Sequence, residues 1–421
     1  MANYIIKCGR LYDGLTDELR PNVEILVVDK KIEEVASHVV VLKDAQVVDL
    51  SDATVTPGLI DAHVHFNIGD WKKLAHDTVY QGRVYKGMFA LYNAERALRR
   101  GFTTVRHCGS DSDDGFSVVT AKRMINSGYF DGARMFVAPH LVSVNAGHGD
   151  TSWYLKDNPI VSDLVWEKYP GRGCGSAEFR EVVRCQSKFG GDLISVATSG
   201  GFNSIGDNPE QFYFTDEELD AVIGAAHQIH QKVYSNSHTV KNVRKEVAMG
   251  IDGIERGSLI DDPELLVLME QRGVDFVPTF ASFDCAIYGN QEELALFMPE
   301  AKEKLGKYSK QMAAARGVIV ENGIEFGYGS GFVAVHHPYQ SGFEYKSMLK
   351  SGVCPFRALA AATRVNARII GKSKELGAVA PGYMADIAAW KRDLMTDENA
   401  LLDCAFVMKE GISYETEKDV K

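Results

Sequence analysis

The chain has 421 residues, of which 45% are hydrophobic and 24% are charged, and its formal net charge at pH 7 is −11. This composition is typical of a globular protein that can bury one large core and a second, smaller one. Because no run of lysine and arginine interrupts the acidic balance, the sequence argues against nucleic acid and anionic membranes as partners.

The N-terminus and the cysteines favour a cytoplasmic protein. The first seven residues lack the long apolar core of a signal peptide, and no stretch approaches the ~18 apolar residues of a membrane-spanning helix. The seven cysteines are scattered, odd in number and free of any CxxC pair, so we expect reduced thiols that are mostly buried. The sequence leaves open whether the chain is a monomer or a homo-oligomer.

The first strands alternate apolar and polar residues, with a hairpin corner at Asp29-Lys30, and the same style returns at the C-terminal end. Neither end has enough apolar residues to bury a core alone. We therefore expect residues 1–56 and 373–421 to form one small β-sandwich domain. Its predicted strands are Tyr4–Cys8, Val23–Val28, Lys31–Val35, Ala45–Asp49, Ala385–Trp390, Cys404–Lys409 and Ile412–Tyr414.

Between the two ends, eight apolar β-type runs alternate with helical patterns, as at Ser176–Phe179 and from Asp216 onwards. This alternation predicts a closed (β/α)8 barrel of the α/β class over residues 57–372. An open doubly wound sheet is the alternative, but no GxGxxG follows the early strands. The eight runs are Val55–Val64, Thr103–His107, Arg134–Pro139, Asp192–Ala197, Lys232–Ser237, Gly253–Gly257, Asp275–Phe280 and Glu325–Ser330.

The run Val55–His65, which reads VTPGLIDAHVH, resembles the first-strand signature of the amidohydrolase superfamily. Within it the chain is similar to the prolidase-like and ochratoxinase-like members, which are related to imidazolonepropionase. The likeness extends over nearly the whole chain and implies the same barrel. Its further motifs are Gly101–Arg106, Gly147–Asp150, Ala197-Thr198 with Gly200-Gly201, Ile254-Glu255 with Gly257, Gly377–Gly382 and Ala385–Ile387.

The resemblance implies one or two divalent metals that activate water, but most of their ligands are replaced. His63 and His65 keep the His-x-His pair, whose side chains point to one side of a strand. The bridging lysine of the family aligns with Ser195 and the fifth-strand histidine with Asn236. The sixth-strand histidine aligns with Arg256, and the eighth-strand aspartate aligns with Gly329.

Arg256 is the sharpest of these replacements. A guanidinium stays protonated, and at ~5 Å from a doubly charged ion it would repel that ion by about 7 kcal/mol at an effective dielectric of ~20. We therefore expect no metal. The alternative is one zinc or another divalent ion held by His63, His65 and His238, to which His107 could add a further nitrogen.

Without a metal, we expect a site of acid/base and anion-binding groups at the C-terminal ends of the strands. His63, His65 and His238 would exchange protons, Arg256 would stabilise negative charge, and Tyr328 would supply a hydroxyl at the vacated aspartate position. The aromatic residues of the loops favour a flat, apolar or aromatic substrate. The expected substrate-binding residues are Arg106, His107, His148, Ser195, Asn236 and His337.

Three functions follow from this site. The first is metal-independent acid/base chemistry, namely cyclisation, condensation, elimination or isomerisation of a small aromatic or amino-acid-derived substrate. The second is a metal-dependent hydrolase of amide or peptide C–N bonds with a rearranged mononuclear site. The third is a non-catalytic protein that binds a small ligand.

Overall fold

The computed structural model describes residues 3–69, 80–110, 115–202, 204–331 and 341–417. Seven barrel strands follow the predicted runs, and we number them 1 to 7 along the chain. Among the described residues, no helix is both long enough and apolar enough to span a membrane. The strands are Leu59–Val64, Phe102–Cys108, Arg134–Ala138, Ile194–Ala197, Val233–Thr239, Gly253–Leu259 and Asp275–Val277, with a short strand Leu141–Val142 beside strand 4.

Parallel pairing joins strands 1 to 3 and strands 4 to 7. Asp192 N donates to Val137 O at 2.8 Å and connects strands 3 and 4. The predicted eighth run, Glu325–Ser330, is extended but not a regular strand. It nevertheless closes the barrel, because Gly327 N donates to Phe276 O at 2.7 Å and Ala62 N donates to Tyr328 O at 2.8 Å.

Helices cover the outside of the barrel and bury their apolar faces on the strands. Helix Asp216–Gln228 begins with a capping box, in which Thr215 and Glu218 satisfy each other's backbone N–H groups. The other α-helices are Arg83–Arg99, Ser117–Asn126, Pro159–Lys168, Gly175–Lys188, Val240–Met249, Pro263–Gln271, Asp284–Ile287, Gln291–Leu294, Pro299–Asn322, Gly342–Lys350, Pro355–Ala360 and Asn366–Ile369; 3-10 turns occupy Thr151–Leu155, Phe280–Phe283 and Ala400–Leu402, and a π-turn Ala361–Val365.

The two ends of the chain pair in one sheet, as the alternating pattern predicts. Strand Ala45–Pro57 lies between the parallel strand Asn3–Leu11 and the antiparallel strand Ile387–Trp390. Where the sequence predicts a sandwich, the described strands form a single continuous seven-stranded sheet. The boundaries at residues 56 and 373 stay predictions. The remaining strands of this sheet are Arg20–Val28, Lys31–Ala36, Cys404–Lys409 and Ile412–Tyr414.

Candidate active site

A buried histidine–glutamate pair joins strands 1 and 6 across the barrel interior. His63 is 1% exposed, and its Nδ1 is hydrogen-bonded to Oε2 of Glu255, which is fully buried. The second carboxylate oxygen of Glu255 accepts from Nη2 of Arg106. Arg106 is itself fixed, because its Nε donates to Ala62 O at 2.6 Å and its guanidinium lies 4.1 Å above the ring of Tyr234.

His65 extends this pair toward the C-terminal end of strand 1. Its Nδ1 lies 2.8 Å from the carbonyl oxygen of Gly109, and its Nε2 lies 3.2 Å from Nε2 of His63. A carbonyl can only accept, so Nδ1 of His65 carries a proton and Nε2 of the neutral ring is an acceptor. Nε2 of His63 is therefore the donor between the two rings.

The same reasoning places one proton between His63 and Glu255. A neutral His63 with its proton on Nε2 has an unprotonated Nδ1, which must accept from the Glu255 carboxyl. Burial raises the pKa of Glu255 to about 7, although Arg106 and Arg256 oppose this rise. Burial also lowers the pKa of His63 and His65 well below the usual value, and Arg256 adds to this effect in both rings. Both histidines are thus neutral at pH 7, and Glu255 titrates close to it.

Arg256 lies within strand 6, where the regular pairing with strand 5 is interrupted. Its φ of 76° and the φ of 54° at Gly257 bend the strand, a conformation that costs a non-glycine residue about 1–3 kcal/mol. Its Nη1 donates to Ser282 Oγ at 2.9 Å, and its guanidinium lies 6.0 Å from the centre of the Phe283 ring. Burial lowers the pKa of His238 well below its usual value, and the positive charge of Arg256 lowers it further.

The model of the family described as "Amidohydrolase family" matches residues 54–413. The chain belongs to the amidohydrolase family. It is 27% identical over 412 residues to an ochratoxinase of Aspergillus niger, covering 93% of this chain and 82% of the relative. A solved Xaa-Pro dipeptidase with methionine bound in its active site is similar with a TM-score of 0.87 and 27% identity, over 98% of this chain and 100% of that one. The A. niger ochratoxinase structure shares the fold, with a TM-score of 0.82 and 22% identity over 99% and 96% of the two chains.

The binuclear metal centre of the amidohydrolase family does not fit these residues. An added Cβ at Gly329 would collide with Val277 and lie 2.7 Å from Cβ of His63, so this backbone has no room for the aspartate. The Ser195 hydroxyl is fully buried without a hydrogen-bond partner among the described residues, and serine cannot be carboxylated as the lysine is. The Arg256 guanidinium also lies close enough to act on both strand-1 histidines.

One smaller group in this amidohydrolase could hold a single ion. Potential ligand atoms of His63, Cys108 and Glu255 lie within 4.8 Å of one another, and it is the one such group found in the described residues. His238, which the sequence predicts as a recruited ligand, is not part of it; its Nδ1 lies 2.8 Å from Ser258 Oγ. Burial strongly raises the pKa of the Cys108 thiol, which disfavours the thiolate that metal binding requires.

Tyr328 is the predicted site residue that the structure does not bring to the histidines. Its ring packs against Phe102, and its hydroxyl donates to Ser341 O and accepts from Tyr345 N at 3.0 Å. Successive side chains of an extended segment point to opposite faces, so the residue beside Gly329 points outward. The expectation that its hydroxyl fills the aspartate position is not met here.

The predicted substrate-binding residues divide between the barrel and its loops. Ser195 and Asn236 are buried within strands 4 and 5. His107 is buried, with Nε2 at 3.2 Å from Asn67 Oδ1. His148 lies in a loop, with Nδ1 at 3.0 Å from Asp207 Oδ2. His337 lies outside the described residues.

Glu255 was not among the predicted site residues, although it lies in a motif that resembles the family, Ile254-Glu255 with Gly257. The signal that could have identified Glu255 is a carboxylate next to the apolar Ile254 in a predicted barrel strand. A carboxylate in the barrel interior needs a partner and therefore indicates a site. Cys108 was missed for a different reason. Its approach to His63 depends on the irregular pairing of strands 1 and 2 after Asp61, which no local pattern indicates.

Proposed function

We propose that this amidohydrolase-family enzyme performs metal-independent acid/base chemistry on a small aromatic or amino-acid-derived substrate, such as a cyclisation, condensation, elimination or isomerisation. The observation that carries the proposal is the hydrogen-bonded series Glu255–His63–His65, called here the relay. In such a relay His63 stays neutral, because the negative charge left by the departing proton appears on Glu255, beside Arg106.

The relay works through both nitrogens of one ring. In the resting site the Nε2 proton of His63 is donated to Nε2 of His65. When a substrate atom replaces His65 as the acceptor and takes this proton, Nδ1 of His63 receives the carboxyl proton of Glu255. When the substrate loses a proton, Nε2 accepts it and Nδ1 returns one to the Glu255 carboxylate. A group whose pKa lies near the working pH is the most effective acid or base, and Glu255 meets this condition. Arg106 has no contact with the reacting atoms in this scheme and acts as a positioning residue for Glu255.

The test is turnover by Glu255→Gln, since an amide keeps the shape of the carboxyl but cannot exchange a proton. We expect kcat to fall by about 10²- to 10⁴-fold, the usual contribution of general acid/base catalysis. The assay follows a panel of N-acyl and aromatic amino acids by NMR in D2O, in which a new product or an exchanged C–H signal reports turnover. Glu246→Gln is the matched control, because Glu246 is equally buried but lies on helix Val240–Met249, outside the barrel. Unchanged turnover in Glu255→Gln would refute the relay.

A mononuclear metal hydrolase is the second candidate, favoured by the grouping of His63, Cys108 and Glu255. The residues would hold one ion that activates water for attack on an amide. Metal analysis of protein purified without chelator and the variant Cys108→Ala separate the two proposals. The relay predicts full turnover in Cys108→Ala and after chelation. Loss of turnover in both, with recovery on adding a divalent ion, would establish the metal site instead.

A further inference from the structure

Arg256 carries a positive charge that is not neutralised within the described part of the chain. Its hydrogen bond to Ser282 Oγ is to a neutral hydroxyl, and no carboxylate among the described residues forms an ion pair with it. Other inward arginines contact a carboxyl group directly, since Arg106 Nη2 donates to Glu255 and Arg316 Nη1 donates to Asp284 at 2.6 Å. Arg256 is partly buried, and a partly buried cation without an ion-pair partner suits an anion that arrives with the ligand.

The backbone opposite Arg256 keeps the guanidinium in place. Gly331 has φ of 62°, and a Cβ added there would lie 2.8 Å from Nη1 of Arg256 and would collide with Ser282 Oγ. The guanidinium therefore lies directly against the end of the eighth extended run. Gly331 N donates to His63 O at 2.9 Å, which ties this edge to the first strand. Arg256 consequently faces the same end of the barrel as the relay.

Two further buried donors have no acceptor among the residues that the structure describes. Ser195 and Arg106 are each 1% exposed, and within that part of the chain neither Ser195 Oγ nor Nη1 of Arg106 has a hydrogen-bond partner. Ser195 lies opposite Tyr234 in the pairing of strands 4 and 5, and Arg106 stacks on that same tyrosine ring. Buried donors normally have a partner, so these two indicate that acceptor atoms enter the barrel interior.

We propose that Arg256 binds the carboxylate of the substrate, so that the enzyme acts on small organic acids in their anionic form. Arginine suits a planar carboxylate because its N–H groups donate in a fixed fork. Nη1 spends one of the five N–H donors on Ser282, which orients the fork and leaves the others for the ligand. Phe283, which lines the same cavity as Arg256, offers an apolar surface for the body of the acid. The inference rests on the proposed function for the location of the reaction and adds the substrate class.

The resemblance to the family implies a metal-binding histidine at residue 256, whereas this chain has a fixed cation there on a strained backbone. Arg256 would supply the positive charge that metal ions supply in the family, and a bound carboxylate would neutralise it. The substrate would then complete the electrostatics of the interior, and its uncharged amide would not.

The experiment is calorimetric binding of sodium benzoate, with benzamide and inorganic phosphate as matched probes. We expect saturable benzoate binding that weakens by at least about thirtyfold in Arg256→Met, since charge-assisted hydrogen bonds are lost. Ser282→Ala removes the orienting hydroxyl and should weaken benzoate binding by several-fold while keeping the guanidinium. Arg244→Met is the control, because Arg244 is exposed and paired with Asp262.

Each outcome decides the matter. Benzoate affinity that is unchanged in Arg256→Met, equal affinity for benzamide, or no benzoate binding by the folded wild-type protein would overturn the proposal. Binding of phosphate without benzoate would reject the carboxylate class. Circular dichroism establishes whether each variant is folded. If Arg256→Met does not fold, the weaker benzoate binding of Ser282→Ala tests the proposal instead. Benzoate binding is measured without turnover, so failure of the relay and failure of the carboxylate site are distinguishable.

Discussion

At the scale of single residues, Gly329 constrains the site because the space around it is already filled. A side chain there would press against Val277 and His63. We expect Gly329→Ala to lower the free energy of unfolding by about 1–3 kcal/mol, the usual cost of overpacking. Urea denaturation measures this change. Gly329→Asp should likewise fail to create a metal site, which equilibrium dialysis with zinc can check.

Gly306 provides the control for this substitution. It lies within helix Pro299–Asn322, and a Cβ added there meets nothing within 4 Å. Gly306→Ala should leave stability unchanged or raise it by up to about 1 kcal/mol, because alanine favours helices. Equal effects of the two substitutions would mean that the space at Gly329 is not limiting.

The sequence predicts which residue types meet at the site better than it predicts where their side chains point. The pairing of His63 with His65 follows from their spacing, and the replacement of metal ligands follows from the motifs. The outward direction of Tyr328 and the binding of Arg106 to Glu255 do not. These directions depend on irregular strand pairing and on the positive φ of Arg256, which arise from tertiary packing.

At the scale of elements, hydrogen bonds from side chains replace regular strand pairing in the eighth extended run, Glu325–Ser330. Asn366 Nδ2 donates to Ile60 O at 2.7 Å and to Tyr328 O at 2.8 Å, while its Oδ1 accepts from Tyr328 N. Asp61 binds Ser330 and Ser341 in addition. The apolar pattern predicted an extended run here, but it could not predict that distant polar side chains would replace regular pairing.

We expect Asn366→Ala to destabilise the protein by about 2–4 kcal/mol, because three hydrogen bonds to buried backbone groups are lost. Amide hydrogen exchange of residues 324–331 should accelerate more than that of strand 5. Asn322→Ala is the comparison, since Asn322 donates one hydrogen bond at a helix end. If exchange in the eighth run stayed as slow as before, the closure would depend on its backbone bonds alone.

At the scale of the whole molecule, buried carboxyl groups link stability to pH. Burial raises the pKa of Glu246 to about 7 and of Glu344 to about 8, against an unfolded value near 4.3. Between these limits the folded state binds more protons than the unfolded state. Each group therefore lowers the free energy of unfolding as pH rises, by up to about 1.4 kcal/mol per pH unit, until the pH exceeds the folded pKa.

The free energy of unfolding, measured by urea or thermal denaturation between about pH 5 and 9, tests this linkage. Glu246→Gln should flatten the decline between about pH 5 and 7, since an amide does not titrate. Thr198 Oγ1, which donates to Glu246 Oε1 at 2.7 Å, can still donate to the amide oxygen. A variant whose stability declined as steeply as that of the wild type would show that Glu246 is ionised in the folded protein.

The barrel as a whole could be predicted because alternation of strand and helix patterns is repeated eight times. The composite β sheet could be predicted because neither end has a sufficient core. Substrate and reaction could not, since they depend on the angles at which a few side chains enter the interior. Arg256 illustrates this, because its residue type suggested anion binding while its strained backbone and its hydroxyl partner Ser282 came from the structure.

The composite sheet also bears on how the chain is made. Strand Ala45–Pro57 pairs with Ile387–Trp390, and Gly58 N donates to Asp386 O at 2.7 Å. A ribosome delivers the first partner long before the second, so an unpaired strand edge persists while nearly the entire barrel is synthesised. Exposed edges of this kind attract other chains. Growing polypeptides of this protein are consequently expected to be prone to association until the returning strands emerge.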